Sequence, residues 1–548
     1  MKKSVDAHIL RKSDYATAQG LTTTTHSVYH LESSDFARVH CVAEDGTEWD
    51  NHVVAEDGTE WDNHVVGIRT DQEIKEKADW SKSSEASMKL NVLIFGFDSM
   101  SRLNFIRQLP KSYTVLKSMN AIVLEGYNIV GDGTPQALIP MLTGFTELEL
   151  PDTRRRMGSR AQYCDVYPFI WKDYQTHGYV TLYGEDTPEF GTYTYRLKGF
   201  QDQPTHHWLS TFFRDSMSEQ KKDKFCLKNM PRHRIMMDYM KHFYTVYPSQ
   251  PKFGFVFHAE YSHNDFNLVA LADSDFSEWL EWFHLRGHLN DTLLIVMSDH
   301  GNRFANVRNT QQGKLEERLP FFSFVFPPWF ATKYPEAHSA FTKNADRLAT
   351  PFDIHATLAD VLSYDNASNA GHYKKSRSNS LFKEIPPTRT CQDAFIEPHW
   401  CACLDWEMLS PKHEFTRRIA DYFVTFLNDY NVKFTTACEP LAVGSILWAG
   451  KLIPNKSLRS FKTNRDLDGF IPDLTDQMDI KFETYQLKVE TLPGRGIFEF
   501  SIVYHVETEA FKLKVGDISR INEYGKQASC IYDTFQDLRK FCYCKQQS

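Results

Sequence analysis

The chain is polar and irregular in pattern for its first 88 residues, then turns apolar at Asn91-Val92-Leu93-Ile94-Phe95-Gly96-Phe97. A continuous apolar run of that length, without polar alternation, is the pattern of a strand covered on both faces. Residues 179–183, 253–257, 293–297 and 321–326 read alike. Helix-like stretches lie between them, such as 168–177 and 276–286. Buried strands alternating with helices predict an α/β sandwich over roughly 91–365.

Beyond a polar break at 374–380 the pattern changes. Residues 411–432 read as one amphipathic helix, and 480–485, 497–505 and 511–515 as strands, with a turn at Pro493-Gly494-Arg495-Gly496 between the first two. The expected organisation is an irregular segment 1–88, an α/β domain 89–372 and a smaller α+β region 390–548. Within the first segment, Ala-Glu-Asp-Gly-Thr-Glu-Trp-Asp-Asn-His-Val-Val at 43–54 recurs unchanged at 55–66. Two copies are too few for a solenoid, which needs about three to bury a shared core. One copy is expected to be looped out.

Composition narrows the class. The 548 residues allow three to four domain-sized units at about 150 residues each. With 41% apolar and 24% charged residues, the chain falls in the globular range. Sixty-two basic against 71 acidic residues give a net charge of −9, which argues against general nucleic-acid binding. No apolar run reaches the length of about 18 that a spanning helix needs. The N-terminus Met1-Lys2-Lys3-Ser4-Val5-Asp6 lacks the apolar stretch of a leader. Other features point to the secretory pathway, in an extracellular or luminal place. There are ten cysteines, seven of them after residue 390, and sequons open at Asn290, Asn366 and Asn455. The pairs Cys401/Cys403 and Cys542/Cys544 are spaced too tightly for a usual zinc knuckle, so disulfides are expected in the C-terminal region.

Ligands of open α/β sheets sit beyond the carboxyl ends of the strands. After the first apolar run comes Asp98-Ser99-Met100-Ser101-Arg102. After the run at 253–257 comes His258-Ala259-Glu260-Tyr261-Ser262-His263-Asn264-Asp265, and after the run at 293–297 comes Ser298-Asp299-His300-Gly301. Singly, each reads as a helix cap, a tight turn or an ordinary histidine. Together they place carboxylates and imidazoles at one sheet edge, where unpaired burial would be costly. Oxygen and nitrogen donors without cysteine suit zinc, and less well manganese or magnesium. Between the first two groups, Gly131-Asp132-Gly133-Thr134-Pro135 offers a hydroxyl at the start of a helix. Beside a divalent cation that hydroxyl is a nucleophile towards phosphorus or sulfur.

Residues 91–105, Gly-Asp-Gly-Thr at 131–134 and Ser-Asp-His-Gly at 298–301 resemble the alkaline-phosphatase-like, sulfatase-like superfamily. More closely, the chain resembles the animal family known as domain of unknown function 229, which the segments 313–320 and 350–358 also fit. The resemblance implies an alkaline-phosphatase-like three-layer α/β/α sandwich with a smaller, cysteine-rich α+β C-terminal region. It implies that Asp98, Thr134, Asp299 and His300 surround one metal, with Thr134 as nucleophile. His258 and His263 have the spacing seen in phosphoethanolamine transferases of the superfamily, where such histidines face the transferred group or a second metal. Glu260, His263 and Asp265 are candidate further ligands, so one or two ions are expected. Lys314 falls roughly where sulfatases place a substrate-contacting lysine. His355 falls at a helix start that is mainly structural in relatives.

Sulfatases make their nucleophile from Cys or Ser in a Cys/Ser-X-Pro-X-Arg context. Thr134-Pro135-Gln136-Ala137-Leu138 has neither the convertible residue nor the arginine. A second departure is Pro204-Thr205-His206-His207-Trp208, where relatives carry an aspartate after the threonine. The expected activity is therefore metal-dependent hydrolysis or transfer of a phosphate ester. A catalytically silent ectodomain that binds through the same fold is the competing reading, and a sulfatase a distant third.

Overall fold

The structure is a computed structural model that describes residues 2–25, 30–42, 48–49, 53–54, 60–221, 223, 225–228, 230–304, 306–364, 377–404, 406–453, 461–463, 470–472 and 482–545. Asn366 and Asn455 lie outside the described residues, as does most of the repeat. The chain divides into two units. The first comprises residues 1–129, 133–302 and 319–389; the second comprises 130–132, 303–318 and 390–548.

The first unit is built on a seven-stranded sheet. Its strands in chain order are β1 (Asn91–Phe97), β2 (Ile122–Val123), β3 (Val180–Glu185), β4 (His207–Trp208), β5 (Lys252–His258), β6 (Thr292–Ser298) and β7 (Phe322–Val325). They lie in the order β4-β3-β5-β1-β6-β7-β2. The first five of that order run parallel, and β7 and β2 continue it antiparallel.

Side chains alternate across the pleat, and here both sides are buried. Val92 and Ile94 of β1, Phe253 and Phe255 of β5, and Leu293 and Ile295 of β6 enter one core. Leu93 and Phe95, Val256, and Leu294 and Val296 enter the other. Helices α1 (Thr134–Thr143) and α4 (Pro351–Leu362) supply Leu138, Leu142, Ile354 and Leu358 to the first core. Helices α2 (Arg232–Val246) and α3 (Asp273–Leu285) supply Met236, Phe243, Phe276 and Trp279 to the second. Apolar layers on both faces are what the unbroken runs of the sequence require, and they make the unit a three-layer α/β/α sandwich. Gly96 is needed in β1, because a Cβ there would lie 2.6 Å from the Phe257 ring.

The N-terminal segment, expected to be irregular, instead forms a sheet. Strand Lys2–Ser13 pairs with Ala16–Gln19, Thr23–Thr25 and Phe36–Val42, and the last of these pairs with Glu60–Val66. Its polar character hid it; Ile9, Phe36 and Ile68 are among the side chains that reach the core. Glu60–Val66 comes from the second repeat copy. The corresponding pieces of the first copy, Glu48–Trp49 and Val53–Val54, pair with each other.

In the second unit, strands β8 (Trp406–Met408), β9 (Ala442–Leu452), β10 (Phe482–Leu492), β11 (Gly496–His505) and β12 (Ala510–Lys512) form an antiparallel meander. Strand β13 (Ile518–Arg520) also pairs with β11. Helix α5 (Glu414–Val432) buries Ile419, Phe423 and Leu427 against Leu487, Phe498 and Phe500. Three disulfides, Cys391–Cys401, Cys438–Cys542 and Cys530–Cys544, brace the unit.

The segment 303–318, read from sequence as part of the α/β domain, belongs to this second unit. A buried charge network holds it there. Arg308 pairs with Glu317 at 2.5 Å and Glu499 at 3.1 Å, and Arg318 with the same carboxylates at 3.2 and 2.8 Å. Lys314, weighed as a substrate-contacting lysine, is buried beside this network. It donates to Gln486, and its ammonium lies 5.0 and 5.1 Å from the ring centroids of Trp406 and Trp448. In the same unit Asp132 accepts from Arg303 at 2.8 Å and Lys540 at 3.1 Å.

Candidate metal centre

The central parallel strands end in step. Phe97 of β1 is in register with His258 of β5 and with Ser298 of β6, and Glu185 of β3 with Phe257 of β5. The residues that follow, Asp186, Asp98 and Asp299, therefore emerge at one carboxyl edge.

The chain turns sharply past β1. Ser99 adopts the left-handed region with φ 61°, a conformation costly for a residue with a Cβ. The turn delivers the Ser99 N–H to Asp299 Oδ1 at 2.9 Å and lets the Ser99 hydroxyl donate to Asp98 Oδ1 at 2.6 Å. The Met100 N–H donates to Ser298 Oγ at 2.8 Å, tying the ends of β1 and β6 together. Asp299 Oδ1 also accepts from the His300 N–H at 2.8 Å.

These contacts gather Asp98, Asp299 and His300, all buried, with donor atoms within 4.8 Å of one another. His300 Nδ1 lies 2.8 Å from the Gly301 carbonyl oxygen. A carbonyl only accepts, so Nδ1 carries a proton, and Nε2 is the ring atom turned towards the carboxylates. That Nε2 stands 3.2 Å from Asp299 Oδ2, and neither atom makes a hydrogen bond. Nε2 is also 3.9 Å from Asp98 Oδ1. Two carboxylates and an imidazole nitrogen converging in a buried place need positive charge among them, from a metal ion or a proton. The donor set is that of a hard-to-borderline divalent ion, and the residues fit one.

Thr134 opens α1. Gly133 before it has φ 82° and ψ 179°, a backbone shape that only glycine takes freely, and it caps the helix without a side-chain hydrogen bond. The half-buried Thr134 side chain thus sits at the positive end of a ten-residue helix, where anions are favoured.

The loop after β5 divides its residues. His258 is fully buried, and its Nδ1 lies 2.5 Å from Asp186 Oδ2; its Nε2 has no hydrogen-bond partner. Asp186 accepts from the Ala259 N–H at 2.8 Å. Burial alone would raise the Asp186 carboxyl, but His258 and then Arg232 outweigh it and hold the group below the ordinary range. Glu260 pairs with Arg232 at 3.1 Å. His263 Nδ1 contacts the Asn264 side chain at 2.9 Å, and Asp265 accepts from the Asn267 N–H at 2.8 Å. Among the described residues the metal-competent group therefore holds Asp98, Asp299 and His300, without Glu260, His263 or Asp265. His355 is buried in α4 with Nδ1 3.2 Å from the Met141 carbonyl, a packing role.

Asp186 was not found from sequence. The signal was present, since Glu185-Asp186 closes the second long run as Asp98 and Asp299 close theirs, but that run was ended at Tyr183.

Fold and site together define a three-layer α/β/α protein with a candidate metal centre at the carboxyl edge of its sheet. Residues 3–447 match the family described as protein of unknown function DUF229, and the chain belongs to that family. A search of curated proteins finds no match. Among solved structures, the chain is similar to a protein in the alkaline phosphatase superfamily from Vibrio parahaemolyticus. Identity is 12% and the TM-score 0.37, over 87% of this chain and 94% of that one. It is also similar to a phosphonate monoester hydrolase from Silicibacter pomeroyi, with 11% identity and TM-score 0.39 over 77% and 90%. Murine ectonucleotide pyrophosphatase / phosphodiesterase 5 follows with 12% identity and TM-score 0.32 over 52% and 98%. Likenesses this loose carry no activity across. Among the described residues no helix is long and apolar enough to cross a membrane.

Proposed function

We propose that the protein is a metal-dependent enzyme of the secretory pathway that hydrolyses or transfers a phosphate ester through Thr134. One observation carries the reading: the buried, hydrogen-bond-free pair His300 Nε2 and Asp299 Oδ2, 3.2 Å apart beside Asp98. Asp98, Asp299 and His300, with Thr134, would hold a divalent ion, zinc before manganese or magnesium. Bound there, such an ion supplies Lewis-acid stabilisation of phosphoryl charge and favours the alkoxide of a nearby hydroxyl.

The chain's own residues do the rest. Thr134 Oγ attacks phosphorus, the bond to the leaving oxygen breaks, and a phospho-threonine forms. The positive amino end of α1 favours the anionic phosphoryl group. Asp186 fixes the orientation of His258, leaving Nε2 to hold or give a proton. His258 or His263 protonates the departing oxygen. Water or an acceptor alcohol then attacks phosphorus, loses its proton and frees Thr134. The threonine context excludes formylglycine formation, which favours phosphate over sulfate esters.

The test combines elemental analysis of the purified protein with a screen of phosphodiesters and phosphomonoesters, on wild type, Thr134→Ala and Asp299→Ala. Stoichiometric metal that falls in Asp299→Ala, with turnover lost in Thr134→Ala, is the expected result. A well-folded protein that takes up no metal after reconstitution would overturn the proposal and leave a silent ectodomain.

A further inference from the structure

The disulfide Cys391–Cys401 has a third sulfur beside it. Cys403 is a free, exposed thiol, and the Sγ atoms of Cys391, Cys401 and Cys403 all lie within 4.8 Å of one another. The contrast within the same unit is informative. Cys530, Cys542 and Cys544 are gathered as closely, yet every one of those sulfurs is already bonded, Cys542 to Cys438.

We propose that Cys391, Cys401 and Cys403 form an exchange centre with two disulfide isomers, Cys391–Cys401 and Cys391–Cys403. The Cys403 thiol loses its proton and its thiolate attacks Cys391 Sγ. The Cys391–Cys401 bond breaks, Cys391–Cys403 forms, and the Cys401 thiolate takes up a proton. One thiol and one disulfide stand on each side, so no oxidant or reductant enters.

Geometry selects Cys391 as the sulfur attacked. Attack on Cys401 would close a bridge across Ala402 alone, a ring that strains the dihedral preference of a disulfide. Attack on Cys391 closes a loop only two residues longer than the present one, at nearly the same closure entropy. The intervening segment is turns without helix or strand, pinned where the Ile396 N–H donates to the Cys391 carbonyl and the His399 carbonyl accepts from Arg318, so exchange moves the sulfurs by rotation of the cysteine side chains.

The two isomers present different surfaces. With Cys391–Cys401 closed, the free thiol is the exposed Cys403. With Cys391–Cys403 closed it is Cys401, whose residue is 4% exposed. Exchange therefore displays or hides one reactive thiol, the one that a low-molecular-weight disulfide would cap. Burial of part of the Cys403 side chain raises its thiol above the ordinary value, so the reactive thiolate is scarce at neutral pH and exchange quickens as pH rises.

The test holds the full chain at pH 7 and pH 9, quenches with acid and alkylates free thiols in denaturant with a first reagent. Reduction, a second alkylating reagent of different mass and tryptic digestion follow. Arg389 and Lys412 bracket one peptide with all three cysteines, and fragmentation between Cys401 and Cys403 locates the first label. The expected result is first label on both Cys403 and Cys401, reached sooner at pH 9, with none on Cys401 in Cys403→Ser. First label confined to Cys403 at both pH values, however long the incubation, would overturn the proposal. So would three sulfurs that resist the first label while the second unit carries a metal.

Discussion

Replacing Asp299 by asparagine separates a metal centre from a merely structural cluster, because the two readings give opposite signs. The substitution keeps the shape and the Oδ1 acceptor that serves the Ser99 and His300 N–H groups at 2.9 and 2.8 Å. It removes the charge, and Oδ2, which has no hydrogen bond. In chelator, wild type holds a buried carboxylate oxygen without a hydrogen bond, a cost of about 1–3 kcal/mol. The asparagine variant is then as stable as wild type or more so. With zinc or manganese at about 1,000 times the dissociation constant, wild type gains about 4 kcal/mol. In a unit of this size 1 kcal/mol is worth about 1.5 °C, so the rise in melting temperature is about 6 °C. The variant forfeits most of it. The assay is thermal unfolding of both proteins in chelator and in each metal. No metal-induced rise in wild type, or an equal rise in the variant, would refute the reasoning.

Thr134→Ala should keep most of that metal-induced rise, since Asp98, Asp299 and His300 remain, while turnover of a phosphate ester falls about 1,000-fold or more, a separation that steady-state kinetics beside melting curves will show. Asp186→Asn should lower kcat about 10–100-fold, again with the metal effect intact, because it loosens His258 and not the ion; unchanged kcat would leave the dyad a packing contact. The Cys438–Cys542 bridge closes 104 residues of separation, so its double serine variant should lose about 4 kcal/mol in urea unfolding of the second unit. Burial lowers the Lys314 ammonium to about 7 from 10.5. The fold therefore binds fewer protons there than the unfolded chain between those values, a penalty complete below about pH 7 that fades towards pH 10.5. Lys314→Met should accordingly stabilise the second unit at pH 6 and not at pH 10; an equal gain at both would exclude the titration.

How much of this was legible in sequence depended on burial. Strands β1, β5 and β6 are covered on both faces, and two cores write an unbroken apolar run, short enough here to mark a strand and not a helix. Asp98, Asp299 and His300 were legible for the same reason, since they fall within two residues of the end of such a strand. The two-residue strands β2 and β4 carry no period to read. The strand Lys2–Ser13 is mostly polar, so its pairing left little trace. Strand residues extend two positions beyond Tyr183, and that short misreading hid Asp186. The allegiance of 303–318 was illegible for another reason: pairing of Arg308 and Arg318 with Glu499 spans nearly 200 residues of chain, and no local pattern reports it.

Two of the buried charge clusters among the described residues differ in balance, and that difference is what points to chemistry. In the second unit Arg308 and Arg318 share Glu317 and Glu499, two cations against two anions, each joined to both partners. Such a network compensates itself and asks for nothing further, although removing one member would strand the rest. At the carboxyl edge of the sheet the sum differs. Asp98, Asp299 and His300 bring two carboxylates to one imidazole, and Ser99 adopts a strained backbone to hold them there. Two buried carboxylates exceed the single positive charge an imidazole can carry, and a divalent cation among the donors balances both. Burial identifies both clusters; only the unbalanced one calls for a ligand.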